Sequence, residues 1–153
     1  DEEIGEIYHT NLTSTVRFLK QALPLLEASK GNIVIISSTA SRYVVSPSQK
    51  LSVYGASKAG LNQLGRTLAP ELGPKGIRIN VVAPGLTRGE YSDEGLSQND
   101  VATQDWIRSV TPLGRIGEAE DVARVVTFMA SDMAGWVTGQ VIDASGGWQV
   151  SAG

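Results

Sequence analysis

The run Ile33-Val34-Ile35-Ile36 limits the fold of this chain more than any other feature. Four consecutive β-branched residues crowd a helical turn and suit a pleated strand. The run holds no polar residue, so neither face of that strand is written for water. A strand apolar on both faces belongs to a parallel sheet covered by helices on two sides. Gly31-Asn32 and Ser37-Ser38 bound the run.

The flanking segments agree. Ile4, Ile7, Leu12, Val16, Leu19, Leu23 and Leu26 recur at helical spacing and predict a long helix with one buried face, its last turn bent at Pro24. Residues Ser46 to Ser52 are polar and contain Pro47, which predicts a loop. A second helix is expected from about Val53 to Leu72, with Leu61, Leu64, Leu68 and Leu72 inward and Gly73-Pro74 as its stop. A second strand follows at Ile77 to Val82, stopped by Pro84-Gly85. Residues Leu86 to Arg115 lack a regular pattern, with Trp106 and Ile107 as their main apolar anchors; a connection of this length inside a compact domain is a functional lid or carries short helices. A third helix is expected over Glu118 to Ala130, with Val122, Val125, Val126 and Met129 inward and an acidic first turn that complements its dipole. Val141-Ile142-Asp143 is the last strand, before Gly146-Gly147. Strands alternating with helices predict a parallel α/β sheet over residues 1–153 as one unit. Three strands are few for such a sheet, and the Ile33–Ile36 edge would be bare.

Composition narrows the partners. At 41% hydrophobic residues and a net charge of −3, the chain is not disordered. A pI near 5.1 supplies no positive field for nucleic acid or an anionic membrane. No apolar run approaches the roughly 20 residues that span a bilayer, and Asp1-Glu2-Glu3 is not the start of a signal peptide. The chain lacks Cys, which excludes disulfides and thiolate-bound zinc and fits a reducing cytoplasm. Its single His, His9, leaves no metal site built on paired imidazoles, and is read as a surface or interface residue. The acidic Glu90, Asp93 and Glu94 are read as a solvated part of the lid. Trp106, Trp136 and Trp148 are read as packing or interface residues.

Chemistry is concentrated at strand ends. Tyr54-Gly55-Ala56-Ser57-Lys58 places a phenol and an ammonium four apart, hence on one helix face. A phenol titrates near pH 10 and is a poor base at neutral pH, but a nearby cation favours its ionised form. Such a pair can pass a proton to and from an alcohol or carbonyl oxygen. Ser38 lies just past the C-terminal end of the first strand, and Ala83-Pro84-Gly85 just past that of the second. Ligands of open α/β sheets bind at this edge.

These pieces, with Asn11-Leu12, Ile36-Ser37-Ser38, Gly76-Ile77-Arg78-Ile79-Asn80, Pro112-Leu113-Gly114-Arg115, Thr138-Gly139-Gln140 and Gly146-Gly147, form an ordered set that resembles the short-chain dehydrogenase/reductase family over nearly the whole chain. The resemblance implies the C-terminal part of a Rossmann-like doubly wound parallel sheet. It implies an oxidoreductase that interconverts a secondary alcohol and a ketone with NAD or NADP, as a 3-oxoacyl-thioester reductase or an alcohol or sugar dehydrogenase. Tyr54 would be the general acid/base and Lys58 its cation and the partner of the nicotinamide ribose. Ser38 would hold the substrate carbonyl, and Asn11 would bind a water that relays protons. Pro84, Gly85, Leu86 and Thr87 would line the nicotinamide pocket, and residues 86–115 would form the substrate lid. A homo-oligomer is implied, through the first two helices and the last helix and strand, with Phe18, Leu64 and Trp148 contributing.

The chain departs from the family pattern in places. Ser38 stands sixteen residues before Tyr54, more than usual, and Ser41 restores the usual interval, so both serines stay in view. Gly89 occupies a position where the family often has Thr, with Thr87 nearby; Ser145 stands where Asp is common. The glycine-rich pyrophosphate turn is missing. On the order of 90 residues, at roughly 30 per strand–helix pair, are expected upstream; a chain without an initiating Met was either processed or does not begin where its gene does. Residues 1–153 alone are expected to bind dinucleotide poorly, not to turn over, and to be poorly soluble. Two alternatives remain: a family relative with lyase or dehalogenase chemistry, or a non-catalytic split subunit.

Overall fold

The computed structural model describes residues 1–43, 51–88 and 101–148. Most of the loop expected at Ser46–Ser52, residues 89–100 of the expected lid, and with them Gly89, Glu90, Asp93 and Glu94, lie outside the described residues. The chain begins with α1 (Glu2–Tyr8), a π-turn (His9–Thr13) and α2 (Ser14–Ser29), then β1 (Asn32–Ile36) and a 3₁₀ turn (Thr39–Ser41). It continues with α3 (Ser52–Leu72), a 3₁₀ turn (Gly73–Lys75), β2 (Arg78–Pro84), α4 (Val101–Val110), α5 (Ala119–Ala130), a 3₁₀ turn (Asp132–Ala134) and β3 (Val141–Ala144). Among the described residues the strands form one parallel sheet in the order β1-β2-β3, with Ile33 beside Ile79 and Val82 beside Ile142.

β2 is the centre. Ile79, Val81, Val82 and Ala83 are fully buried, and burying an aliphatic side chain of this size contributes about 1.5–3 kcal/mol. Alternate side chains of the sheet enter two cores. Ile33, Ile35, Ile79 and Val81 meet Leu61, Ala69 and Leu72 of α3, with Leu19, Leu23 and Leu26 of α2 closing that side. Val82 and Val34 meet Met129, Val122, Val125 and Val126 of α5 on the other. Helices on both faces are what apolar parallel strands require.

Several expectations need correction. β1 was expected to be buried on both faces, but Val34 is only partly buried and Ile36 is 43% exposed. β1 pairs with β2 along one edge alone among the described residues, and apolar grooves run between that outer edge and α2, lined by Phe18, Leu19, Leu26, Ile33 and Val34. The first helical stripe is interrupted: Ile4 and Val16 are exposed, as is Phe18 at 70%. The π-turn adds one residue to the helical register and rotates the face that α2 presents. On α3 the leucine stripe is inward only in part: Leu61 and Leu72 are buried and Leu64 and Leu68 partly buried against the same core, while Gly55, Ser57, Gly65 and Ala69 are buried beside them. In the lid Ile107 is the anchor, at 1% exposed, and Trp106 faces outward at 42%. Trp148 is buried within the chain at 3% exposed, so it is not free for a subunit interface, whereas Trp136 is wholly exposed.

Polar side chains lock the second crossover. The buried Asn80 donates to Val137 O at 2.8 Å and accepts from the Gln140 amide at 3.0 Å. Arg78 donates to Met129 O, Ser131 O and Val137 O, satisfying carbonyls at the end of α5. Arg42 and Asp143 form an ion pair between the turn after β1 and β3. Asn80→Ala removes both bonds and leaves a cavity inside β2. A loss of about 2 kcal/mol is expected, read as a lower urea midpoint at unchanged slope. An unaltered midpoint would mean that water replaces both bonds.

Candidate functional site

Tyr54 lies in the first turn of α3 and Lys58 one turn on, both half-buried. The Lys58 ammonium stands 5.6 Å from the centroid of the Tyr54 ring and donates to Ile36 O, the last carbonyl of β1, at 3.2 Å. Burial pushes the Lys58 ammonium below its ordinary value, because desolvation disfavours the charged form. Phenol and cation are therefore side by side at the C-terminal end of the sheet.

The π-turn delivers Asn11 to this place. Asn11 Nδ2 donates to Ser57 Oγ at 2.9 Å, and Ser57 Oγ donates to Tyr54 O at 2.7 Å. Ser57 is fully buried and joins the two helices at the turn that carries Tyr54 and Lys58. Ser37 Oγ donates to Lys58 O at 3.0 Å, tying the end of β1 to the same turn. Neither Ser57 nor Ser37 was legible as part of the site. A serine inside a Tyr-x-x-x-Lys pattern carries no sign of whether it points to solvent or to a neighbouring helix.

Ser38 starts the 3₁₀ turn after β1, and its hydroxyl accepts from the Ala40 amide at 3.2 Å. Ser41 is engaged differently. Its hydroxyl donates to Ser38 O at 2.5 Å and accepts from Asn62 Nδ2 at 2.7 Å. Among the described residues the hydrogen of the Ser38 hydroxyl has no internal acceptor, while that of Ser41 is spent on the turn.

Pro84 ends β2. The Gly85 amide donates to Ala144 O at 3.0 Å, and a Cβ on Gly85 would stand 2.7 Å from Ser145 Cβ, so a side chain there would collide with β3's exit. Thr87 Oγ1 donates back to Gly85 O at 3.1 Å. Leu86 and Thr87 face a cleft of about 440 Å³ together with Leu113, Val125, Asp143 and Ser145. Tyr54, Lys58 and Ser38 do not line this cleft; Asn11 and Lys58 instead border a groove of about 310 Å³ along the β1 edge. The sheet's C-terminal edge thus carries two groups of residues, Tyr54, Lys58 and Ser38 at β1 and α3, and the cleft beside Leu86 and Thr87 at β2 and β3.

The segment expected as a lid is held where it starts and ends. Gly117 N donates to Leu86 O and Arg88 N to Gly117 O, and Arg88 pairs with Glu118. Arg115 donates to the Asp121 carboxyl, which with the Glu118 amide holds that acid well below the usual carboxylate range. Pro112 rests on Gly147, whose φ of +87° and position, where an added Cβ would stand 2.9 Å from Pro112 Cγ, admit no side chain.

The donor set fits a nicotinamide nucleoside. Lys58 uses one of three donors on Ile36 O, which leaves N–H groups for a ribose hydroxyl. The cleft beside Leu86 and Thr87 is separate from Lys58 and is lined by Arg115, Asp121 and Asp143 as well as by Leu113 and Val125.

The family model described as Enoyl-(Acyl carrier protein) reductase matches residues 1–149. A tropinone reductase homolog of Arabidopsis thaliana is 41% identical over 151 residues, covering 98% of this chain and 54% of the relative. A short-chain type dehydrogenase/reductase from Mycobacterium ulcerans superposes with a TM-score of 0.86 at 33% identity, over 100% of this chain and 55% of that one. A 4-hydroxyisoleucine dehydrogenase mutant solved with NADH and succinate superposes with a TM-score of 0.88 at 27% identity, over 100% of this chain and 62% of that one. The chain spans about half the length of the curated relatives it matches.

Proposed function

Because the chain belongs to the short-chain dehydrogenase/reductase family, we propose that it carries the catalytic centre of an oxidoreductase that interconverts a secondary alcohol and a ketone with NAD(H) or NADP(H). The observation that carries this reading is the Tyr54–Lys58 pair, a phenol and an ammonium 5.6 Å apart at the end of a buried parallel strand. When bound, the nicotinamide supplies or accepts a hydride at the substrate carbon. Tyr54, Lys58, Pro84, Gly85, Leu86 and Thr87 are the residues that would hold it.

This chain's own groups manage the oxygen. In reduction the Tyr54 hydroxyl gives its proton to the carbonyl oxygen as negative charge grows there; in oxidation it takes the alcohol proton back. The Ser38 hydroxyl donates a hydrogen bond to the same oxygen and sets its position. The Lys58 ammonium stabilises the phenolate left after the proton departs. Asn11, held by Ser57 beside Lys58, is placed to hold a water through which that proton is replaced. A 3-oxoacyl thioester, a sugar or a simpler alcohol is the substrate class. The working form is a homo-oligomer.

A cofactor-linked absorbance change at roughly 340 nm, the band of reduced nicotinamide, is expected when the natural polypeptide carrying residues 1–153 meets a panel of ketones. Silence across oxoacyl thioesters, sugars and simple ketones with both cofactors would sink the reading. Halide release or elimination without cofactor would favour lyase or dehalogenase chemistry instead.

A further inference from the structure

The turn that carries Ser38 is gripped by α3 at two points. At the first, Gly55 lies against Ala40 so closely that a Cβ on Gly55 would stand 2.6 Å from Ala40 O. At the second, Asn62 Nδ2 donates to Ser41 Oγ at 2.7 Å, and Ser41 Oγ donates to Ser38 O at 2.5 Å. The contacts lie two turns apart on the helix that also holds Tyr54. A rigid helix therefore sets the distance between the proton-transferring phenol and the hydroxyl that would hold the substrate oxygen.

Asn62 is a costly way to hold a loop. It is 3% exposed, and among the described residues its Oδ1 has no hydrogen-bond partner. A buried amide with an unfilled acceptor is worse for stability than an apolar side chain of similar volume. Its gain must lie elsewhere, and its side-chain bond among the described residues goes to Ser41 Oγ, which in turn donates to the Ser38 carbonyl. Departures from good packing of this kind are expected where geometry serves function.

We propose that Asn62 and Ser41 are positioning residues: together they fix the Ser38 hydroxyl for the substrate carbonyl without touching substrate themselves. This rests on the oxidoreductase reading above. It makes a separate claim, that substrate alignment is controlled from the far side of the turn by a buried amide.

The test is the double variant Ser41→Ala/Asn62→Leu in the natural polypeptide. Removing both polar groups leaves no orphan donor, so thermal stability is expected at or above the wild-type value. Dinucleotide affinity is expected within twofold of wild type. The kcat/KM for a ketone is expected to fall about tenfold or more, since small misplacements of a reacting group are expensive. In a Ser38→Ala background the same double change is expected to have no further effect, because the hydroxyl it positions is already gone. A purely structural role predicts kinetics that recover with stability. Wild-type-like kcat/KM in the double variant overturns the proposal, as does a loss that persists in the Ser38→Ala background. If the double variant does not fold, Ser41→Ala alone carries the same comparison. A wild-type protein with no cofactor-linked turnover overturns the oxidoreductase reading and this proposal together, which separates the two failures.

Discussion

Tyr54→Phe is expected to lower turnover by about a thousandfold while leaving dinucleotide affinity nearly unchanged. The change removes one oxygen and keeps the ring that stands 5.6 Å from the Lys58 ammonium, so packing is conserved and only the proton is lost. A positioned acid/base contributes typically 10²–10⁴-fold, and a phenol with its cation alongside belongs in the upper part of that range. Lys58→Ala is expected to act on both quantities. It removes the charge beside the phenol, the bond to Ile36 O and the donors available to a ribose. Measured kcat and dinucleotide dissociation constants for the two variants check this. Turnover within a few fold of wild type for Tyr54→Phe would show that another group handles the proton. Equal losses of cofactor affinity in both variants would show that the tyrosine is mainly a binding residue.

Gly65→Val is expected to destabilise the fold by about 3 kcal/mol or more. α3 approaches β2 so closely here that a Cβ on Gly65 would stand 2.4 Å from Val81 Cγ2, far inside the contact distance of about 3.5–4.0 Å between carbons. Val81 is fully buried, as are its neighbours Ile79 and Val82, so it has no space to yield. Glycine inside a helix costs about 1 kcal/mol against alanine, yet the overlap outweighs that propensity gain even for Gly65→Ala. Valine adds two methyl groups to the clash. The effect also reaches the site, because the helix that must retreat carries Tyr54 and Lys58 and the strand it leaves carries Pro84. Urea unfolding monitored by circular dichroism reads the change directly. A Gly65→Val protein as stable as wild type would mean that helix and strand are farther apart than they stand here.

Gly65 also shows where a hydrophobic pattern misleads. Leu61, Leu64, Leu68 and Leu72 mark α3 as a helix with one apolar side, and Leu61 and Leu72 are indeed buried at 2% and 5% exposed. The centre of the buried face, however, is Gly65 with Ala69. Apolarity scales reward large side chains, whereas a helix lying tightly on a sheet buries its smallest ones. The π-turn at His9–Thr13 was invisible for another reason. It is a change of hydrogen-bond register within a continuous helix, and no residue type in His9-Thr10-Asn11-Leu12-Thr13 demands it. β1 was misjudged because four β-branched residues state that a strand can be covered on both sides, not which neighbours cover it.

What the sequence by itself determined is the order of elements and the pairing of Tyr54 with Lys58 on one helix face. β-branched runs and helical spacing of apolar residues, with breaks at Gly31, Gly73-Pro74 and Pro84-Gly85, are local properties, and they placed each strand and the long helices within a few residues. The Tyr54–Lys58 face follows from helical geometry alone, since residues four apart must be neighbours. Tertiary structure decided the rest, above all how the two serine hydroxyls are engaged. Ser38 and Ser41 are chemically identical and three residues apart. They differ because Asn62, on another element, engages one hydroxyl, and Ser41 in turn spends its own hydrogen on the Ser38 carbonyl. Hydrogen-bond partners distant along the chain are set by packing, and packing of α3 against the turn after β1 is settled only when Gly55 lets the two backbones touch.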